Sequence, residues 1–304
     1  MRAFNSARYI DDAVSSVLGQ EYKGFIELLA CYDEGSTDDT NRILEEVDKR
    51  QLSAERVFRV ISHPHATPFR SLEIGISQAR GEYVTFLDSD NLLPSGHIAR
   101  MTAEAKKHGA EFLFCHAMLV DQLSVPLHKS LVSVPSIRKN RVRLLLGNYV
   151  DISTMMFTRA YINELNKVLM ELADADFDYV YEDWLLAIVA LATQRRMFVS
   201  GTWSLYRVHP SNLTYSEKKP SLKKALANRR REITTLIAVS KLDLKLTGAE
   251  RLATAVRLLV SATSWARLAV EIRLDSQLAM SPSDGLVKML RRVVTSLIKV
   301  ATRA

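Results

Sequence analysis

The sequence predicts an α/β fold: a mostly parallel, doubly wound sheet flanked by helices, with a helical extension at the C-terminal end. Three observations carry this. Short β-rich runs alternate with helix-like stretches through the first half of the chain. Acidic residues stand just after several of those runs, where open α/β sheets bind ligands. Beyond Lys218 the pattern turns helical and basic.

Residues 6–18 place Ile10, Val14, Val17 and Leu18 on one helical face, with Asn5 or Ser6 as cap. Residues 26–32 are an apolar, β-rich run broken by Asp33, Glu34 and Gly35. Asp38 and Asp39 then open a helix reaching Asp48, and acids in a first turn suit the positive end of the helix dipole. Residues 57–61 read as a strand and 71–79 as a helix. Residues 83–87 read as a buried strand that ends in Asp88, Ser89, Asp90 and Asn91. A helix is expected over 99–107, strands over 111–120 and 152–157, and a helix over 160–172. Residues 121–150, including the basic cluster 138–143, read as a solvated loop. Residues 183–193 are apolar on all sides, which predicts a buried helix. Residues 284–303 put Leu286, Met289, Leu290, Val293 and Leu297 on one face and most basic residues on the other, with Ser283 or Asp284 as cap.

At 304 residues the chain is long enough for one large domain and an appendage, expected at 1–215 and 216–304. Apolar content of 47% and charged content of 25% fit a globular protein. No apolar run approaches the ~20 residues that span a bilayer. Cys31 and Cys115 lie in apolar runs and read as buried thiols in a reducing, cytoplasmic setting. The net charge of +7 divides unevenly: residues 218–304 carry +12 and the rest −5. A basic tail suits an anionic partner, and without a nucleic-acid-binding motif a nucleic acid is not expected.

Asp88 and Asp90 form a carboxylate pair one residue apart at a strand end, which suits a hard divalent cation bridging to phosphates. An acidic turn would look the same in isolation. Four further stretches accompany the pair: Phe4 and Asn5 before the first helix; the turn from Asp33 to Asp38; Tyr181, Glu182, Asp183 and Trp184 opening the buried helix; and Tyr206, Arg207, Val208, His209 and Pro210. In this order and spacing the set resembles family 2 glycosyltransferases, whose fold is the Rossmann-like GT-A fold. The resemblance covers residues 1–215.

The resemblance implies an inverting, nucleotide-sugar-dependent transferase. Phe4 would lie beside the nucleobase. Glu34 would bond that base, commonly uracil, with Asp33 in the same turn. Asp88 would face the ribose or sugar. Asp90 and His209 would hold Mn²⁺ or Mg²⁺, with Arg207 as companion. Arg70 would reach the diphosphate. Asp183 would be the catalytic base, with Glu182 as the alternative, and Trp184 would stack on the acceptor sugar. The donor is expected to be UDP-linked. The acceptor is expected to be a glycan or a lipid-linked saccharide, in polysaccharide biosynthesis at the inner face of a membrane. The other reading is a non-catalytic GT-A-like protein kept for binding or assembly. Each site residue also has a plain alternative as turn, cap or core, and His63 and His65 read as structural. The last helix is left among three partners: a membrane surface, the catalytic domain or a second copy.

One departure stands out. The family opens with a longer apolar strand than Met1–Phe4 provides, so the sheet is expected to be thin at that strand, with unpaired edges.

Overall fold

The computed structural model describes residues 1–131, 141–147, 150–170, 179–192, 197–212, 221–242, 244, 246–275 and 292–296. Contacts divide the chain into two compact units. The first comprises 1–138, 149–170 and 194–209; the second comprises 139–148, 171–193 and 210–304. The division therefore falls elsewhere than at residue 215. The apolar helix at 182–192 groups with the C-terminal helices, because those helices cover its surface.

Among its described residues the first unit contains eight strands: β1 (Arg2–Ala3), β2 (Ile26–Asp33), β3 (Arg56–His63), β4 (Tyr83–Thr85), β5 (Phe112–Val120), β6 (Pro126–Ser130), β7 (Met155–Thr158) and β8 (Met197–Arg207). Strands β1, β2 and β3 form a parallel sheet. Helices α1 (Ile10–Leu18), α2 (Thr40–Asp48) and α3 (Pro68–Gln78) connect them and lead on to β4, as alternating hydrophobic patterns predict. The α1 cap differs from expectation. The helix begins after Tyr9, and Ser6 O accepts from the N–H groups of Tyr9 and Ile10.

The second sheet runs β4-β7-β5-β6, with β8 parallel to β5. The β4–β7, β7–β5 and β5–β6 pairs are antiparallel, so this half is more mixed than a doubly wound pattern implies. Strand β7 runs back between β4 and β5 and reverses the direction there. Its core is aromatic: Phe112 stacks on Phe157 at 4.4 Å, and Phe86 meets Phe157 edge-on at 6.1 Å. Helices α4 (His97–His108) and α6 (Arg159–Met170) belong to this unit.

Strand β1 is two residues long. Arg2 bridges in parallel to Asp88, which places β1 between β2 and the segment that follows β4. The Met1 amine donates to Leu29 O at 2.8 Å, and burial pulls its pKa down. Beside it a cavity of about 430 Å³ is lined by Leu28, Gly75, Tyr83, Phe86 and Ile98 among others.

The second unit is helical: α5 (Arg141–Leu146), α7 (Glu182–Ala192), α8 (Leu222–Lys241) and α9 (Gly248–Asp275). Glu232 on α8 ties to α9 by accepting from Arg257 at 2.8 Å and Ser261 at 2.9 Å. The amphipathic helix expected over 284–303 lies outside the described residues except for 292–296, which are helical. Among the described residues no helix is long and apolar enough to cross a membrane. Cys31 and Cys115 are both buried and free.

Candidate active site

The first unit brings Phe4, Asp33, Glu34, Asp88, Asp90, Arg207 and His209 to the carboxyl ends of β1, β2, β4 and β8. Strand β4 stops at Thr85, and Phe86 and Leu87 anchor the next turn in the core. Asp88 and Asp90 follow.

This loop is fastened from several sides. Arg2 donates to Asp88 Oδ1 at 2.5 Å. Ser153 Oγ accepts from Asp88 N at 3.3 Å and from Asn91 Nδ2 at 3.0 Å. The hydroxyls of Ser89 and Ser6 share a 2.6 Å bond. His209 Nε2 lies 3.0 Å from Asp90 Oδ2, although 119 residues separate them in sequence. The imidazole also packs on the Tyr9 ring at 4.9 Å.

Arg207, the expected companion of Asp90 and His209, lies beside them inside the protein. Its side chain is 1% exposed. Nε donates to Asp90 O at 2.9 Å, one Nη to Gln122 O at 2.9 Å and the other to Asp12 at 3.1 Å. The guanidinium lies 4.6 Å from the Tyr9 ring centroid. Its donors are thus directed at the protein, and it works as a clamp beneath the loop.

Asp151 was not legible in the sequence. It is buried beside Ser153, whose N–H it accepts at 2.9 Å. Burial, then the charges of Asp88 and Asp90, push its carboxyl well above the usual range. Asp88 and Asp90 thus stand near a third, buried carboxyl group.

At the end of β2, Asp33 is also internal. Gly35 N donates to one oxygen at 2.8 Å, Ala66 N to the other at 3.1 Å, and His65 Nδ1 lies 3.0 Å away. Burial works to raise its carboxyl, but these bonds outweigh it and hold the pKa below the ordinary value. Asp33, expected as the neighbour of Glu34 in this turn, is thus held within the protein by bonds to Gly35, Ala66 and His65. Glu34 is exposed, with its N–H on His63 O at 3.0 Å. Phe4 is 47% exposed and lies 5.1 Å from the His65 ring. Asn5, at φ 48°, closes this corner: its Oδ1 accepts from Thr37 N at 2.8 Å. Arg70, in the first turn of α3, pairs with Glu73 at 2.9 Å.

In the second unit, Glu182 and Asp183 form the first turn of α7, and Asp183 Oδ1 accepts from Trp184 N at 2.6 Å. Trp184 corrects an expectation. It is fully buried, and its Nε1 donates to Leu144 O at 2.6 Å. A ring closed into the core has no face for a sugar, so Trp184 is a packing residue.

Among the described residues no three His, Cys, Asp or Glu side chains ring a common point. Asp90 and His209 supply two adjacent donors of the kind Mn²⁺ accepts. A cation that also binds substrate phosphates requires few protein ligands. The site thus fits the expected metal as a shared site, not as a closed cage.

The family model described as "Glycosyl transferase family 2" matches residues 1–165. Staphylococcus aureus TarS 1–349, solved with UDP-GlcNAc, superposes with a TM-score of 0.61 at 16% identity, covering 97% of this chain and 80% of that one. The mannosyltransferase PcManGT of Pyrobaculum calidifontis, solved with GDP-Man and Mn²⁺, gives a TM-score of 0.55 at 14% identity, over 99% and 85% of the two chains. These likenesses show the GT-A fold. A Campylobacter jejuni protein, "GalNAc(5)-diNAcBac-PP-undecaprenol beta-1,3-glucosyltransferase", is 29% identical over 34% of this chain and 32% of its own length. The matches to the first curated relatives span 31%, 38% and 48% of those proteins, all of them named as glycosyltransferases. The family model covers more than half of this chain: it belongs to glycosyl transferase family 2.

Proposed function

We propose that this protein transfers a sugar from a nucleoside diphosphate sugar, UDP-linked, to a hydroxyl of a glycan or lipid-linked saccharide, with inversion. The contact between Asp90 and His209 at the end of the β4 loop carries this reading. Asp90 and His209 would hold Mn²⁺ or Mg²⁺, which, when bound, neutralises charge on the departing diphosphate.

The chain's own residues supply the rest. Asp88, oriented by Arg2, faces the ribose or sugar. Phe4 offers a ring face to the nucleobase, with the Glu34 carboxylate in the turn beside it. Arg207 holds Asp90 and the loop in place without touching substrate. Asp183 takes the proton of the attacking hydroxyl, with Glu182 as its neighbour in the same turn. The proton must leave as the new bond forms, so a carboxylate within reach lowers the barrier.

The bound donors in the titles of two fold neighbours support a nucleotide-sugar ligand. A relative with PP-undecaprenol in its name supports a lipid-linked acceptor. Such an acceptor would bring the enzyme to the cytoplasmic face of a membrane, where the basic C-terminal region suits anionic lipid.

Calorimetric titration with UDP, with and without Mn²⁺, tests the donor site. Metal-dependent binding that disappears in Asp90→Ala is the expected result. Metal-independent binding, or binding unchanged in Asp90→Ala, would remove the assignment.

A further inference from the structure

His65 stands in the loop after β3, at the corner where Phe4 and the Asp33 turn meet. Its environment is unusual for a surface imidazole. The side chain is 66% exposed, yet its ring is fixed on three sides. Nδ1 lies 3.0 Å from Asp33 Oδ1. The Phe4 ring lies alongside at 5.1 Å, tilted by 37°. Beneath is Gly35, where an added Cβ would come within 2.7 Å of Nδ1, 2.8 Å of Cγ and 2.9 Å of the His65 Cβ. Only a residue without a side chain lets the ring lie so close.

The edge of the ring that contacts Gly35 and Asp33 is thus the Nδ1 and Cγ edge, and Nε2 lies on the far side. Asp33 is held ionised by its two backbone N–H bonds, so it accepts from the imidazole. In the neutral ring this puts the proton on Nδ1 and leaves a lone pair on Nε2. A buried carboxylate therefore sets the character of an exposed nitrogen: an acceptor in a fixed position beside an aromatic face.

We propose that His65 selects the nucleobase of the donor. Nε2 accepts from a base that presents a ring N–H, as uracil and guanine do, while Phe4 stacks on its face. Cytosine and adenine present a ring acceptor at the corresponding position and meet lone pair with lone pair. The inference rests on the donor-site reading above and names the residue that would choose the base. It also gives Asp33 a role at one remove, as the residue that positions His65 and fixes its tautomer.

The test is titration of the full chain with UDP, GDP, CDP and ADP in the presence of Mn²⁺, for the wild type and for His65→Phe. That replacement keeps a ring beside Phe4 and removes the acceptor. At so exposed a position it leaves the fold intact, and a melting curve checks this. The wild type is expected to bind UDP and GDP about tenfold more tightly than CDP and ADP, as one hydrogen bond made or refused allows. In His65→Phe the preference should shrink to about threefold or less, through loss of UDP and GDP affinity alone. Equal wild-type affinity for all four overturns the proposal, as does a variant that weakens all four alike or keeps the preference. A folded wild type that binds none of them overturns the donor-site reading itself.

Discussion

The loop bearing Asp90 and the helix bearing Asp183 are built in different ways. Asp88, Asp90 and Asn91 are reached by Arg2, Ser153, Arg207 and His209, every bond polar and every partner more than sixty residues away. Asp183 opens a helix in which residues 184–192 are all buried and apolar. Polar ties there include Trp184 N on Asp183 Oδ1, Trp184 Nε1 on Leu144 O, and Tyr181 N on Thr235 Oγ1 at 2.8 Å. The difference teaches how each carboxylate is placed. A polar network fixes position and charge together, so losing one member disturbs both. An apolar helix presents its first turn through bulk packing, which is indifferent to the charge at its tip.

The sharpest break of this comparison is in catalysis. Asp183→Asn should lower kcat by about 10³-fold, within the range for a general base, while metal-dependent UDP binding stays at the wild-type level. Asp90→Ala should lose both. If Asp183→Asn also abolished UDP binding, the separation of donor and acceptor roles would be wrong.

Packing gives the next largest effect. Trp184→Ala should cost about 3–5 kcal/mol in denaturant unfolding, as for large aromatic residues removed from a core. UDP affinity of the folded protein should not change. An altered affinity would mean that the indole acts beyond the core.

Acid should weaken the first unit at a point outside both regions. His97, at the start of α4, is buried with Nδ1 donating to Trp203 O at 2.7 Å, and Nε2 is buried with no partner among the described residues. Burial pulls its pKa down to about 4. The unfolded chain, with an ordinary value of about 6.5, takes up the proton first. The stability that His97 contributes is therefore present above about pH 6.5 and declines as pH falls towards 4, by ~3 kcal/mol in all. His97→Asn should remove this part of the pH dependence, read from unfolding curves at pH 7 and pH 4.5. Equal slopes for the two proteins would refute it.

The smallest effect expected concerns Arg207. Its partner Asp12 is 60% exposed, so screening reduces the ion pair to a minor part. The carbonyls of Asp90 and Gln122 matter more. Arg207→Met should cost about 2 kcal/mol, chiefly from leaving those acceptors without their donor. Mn²⁺-dependent UDP affinity should fall along with it, in contrast to Trp184→Ala. An unchanged affinity would show that the clamp is dispensable to the loop.

Most elements could be read directly from the chain. Residues 26–33 and 112–120 are strands because β-rich apolar runs of that length bury on both faces, and the helices at 159–170 and 182–192 follow from apolar spacing. Where periodicity is weak the reading slipped: residues 152–154 form a 3-10 turn before β7, not the start of the strand. The candidate site was legible as residue types and order. Asp88, Asp90, Asp183 and His209 stand out through their shared order and spacing, since a carboxylate alone at a turn or helix start also serves as a cap.

What the sequence by itself determined was the alternation of elements, the acidic turns and the buried character of 182–192, all of which depend on neighbours within a few residues. Tertiary structure alone decided who meets whom. It joined His209 to Asp90, folded Arg207 beneath the loop, closed Trp184 into the core, raised Asp151 by burial and set His65 Nδ1 against Asp33. Those outcomes depend on burial and on partners distant in the chain, and a side chain's charge, exposure and free hydrogen-bonding edge are set by such surroundings.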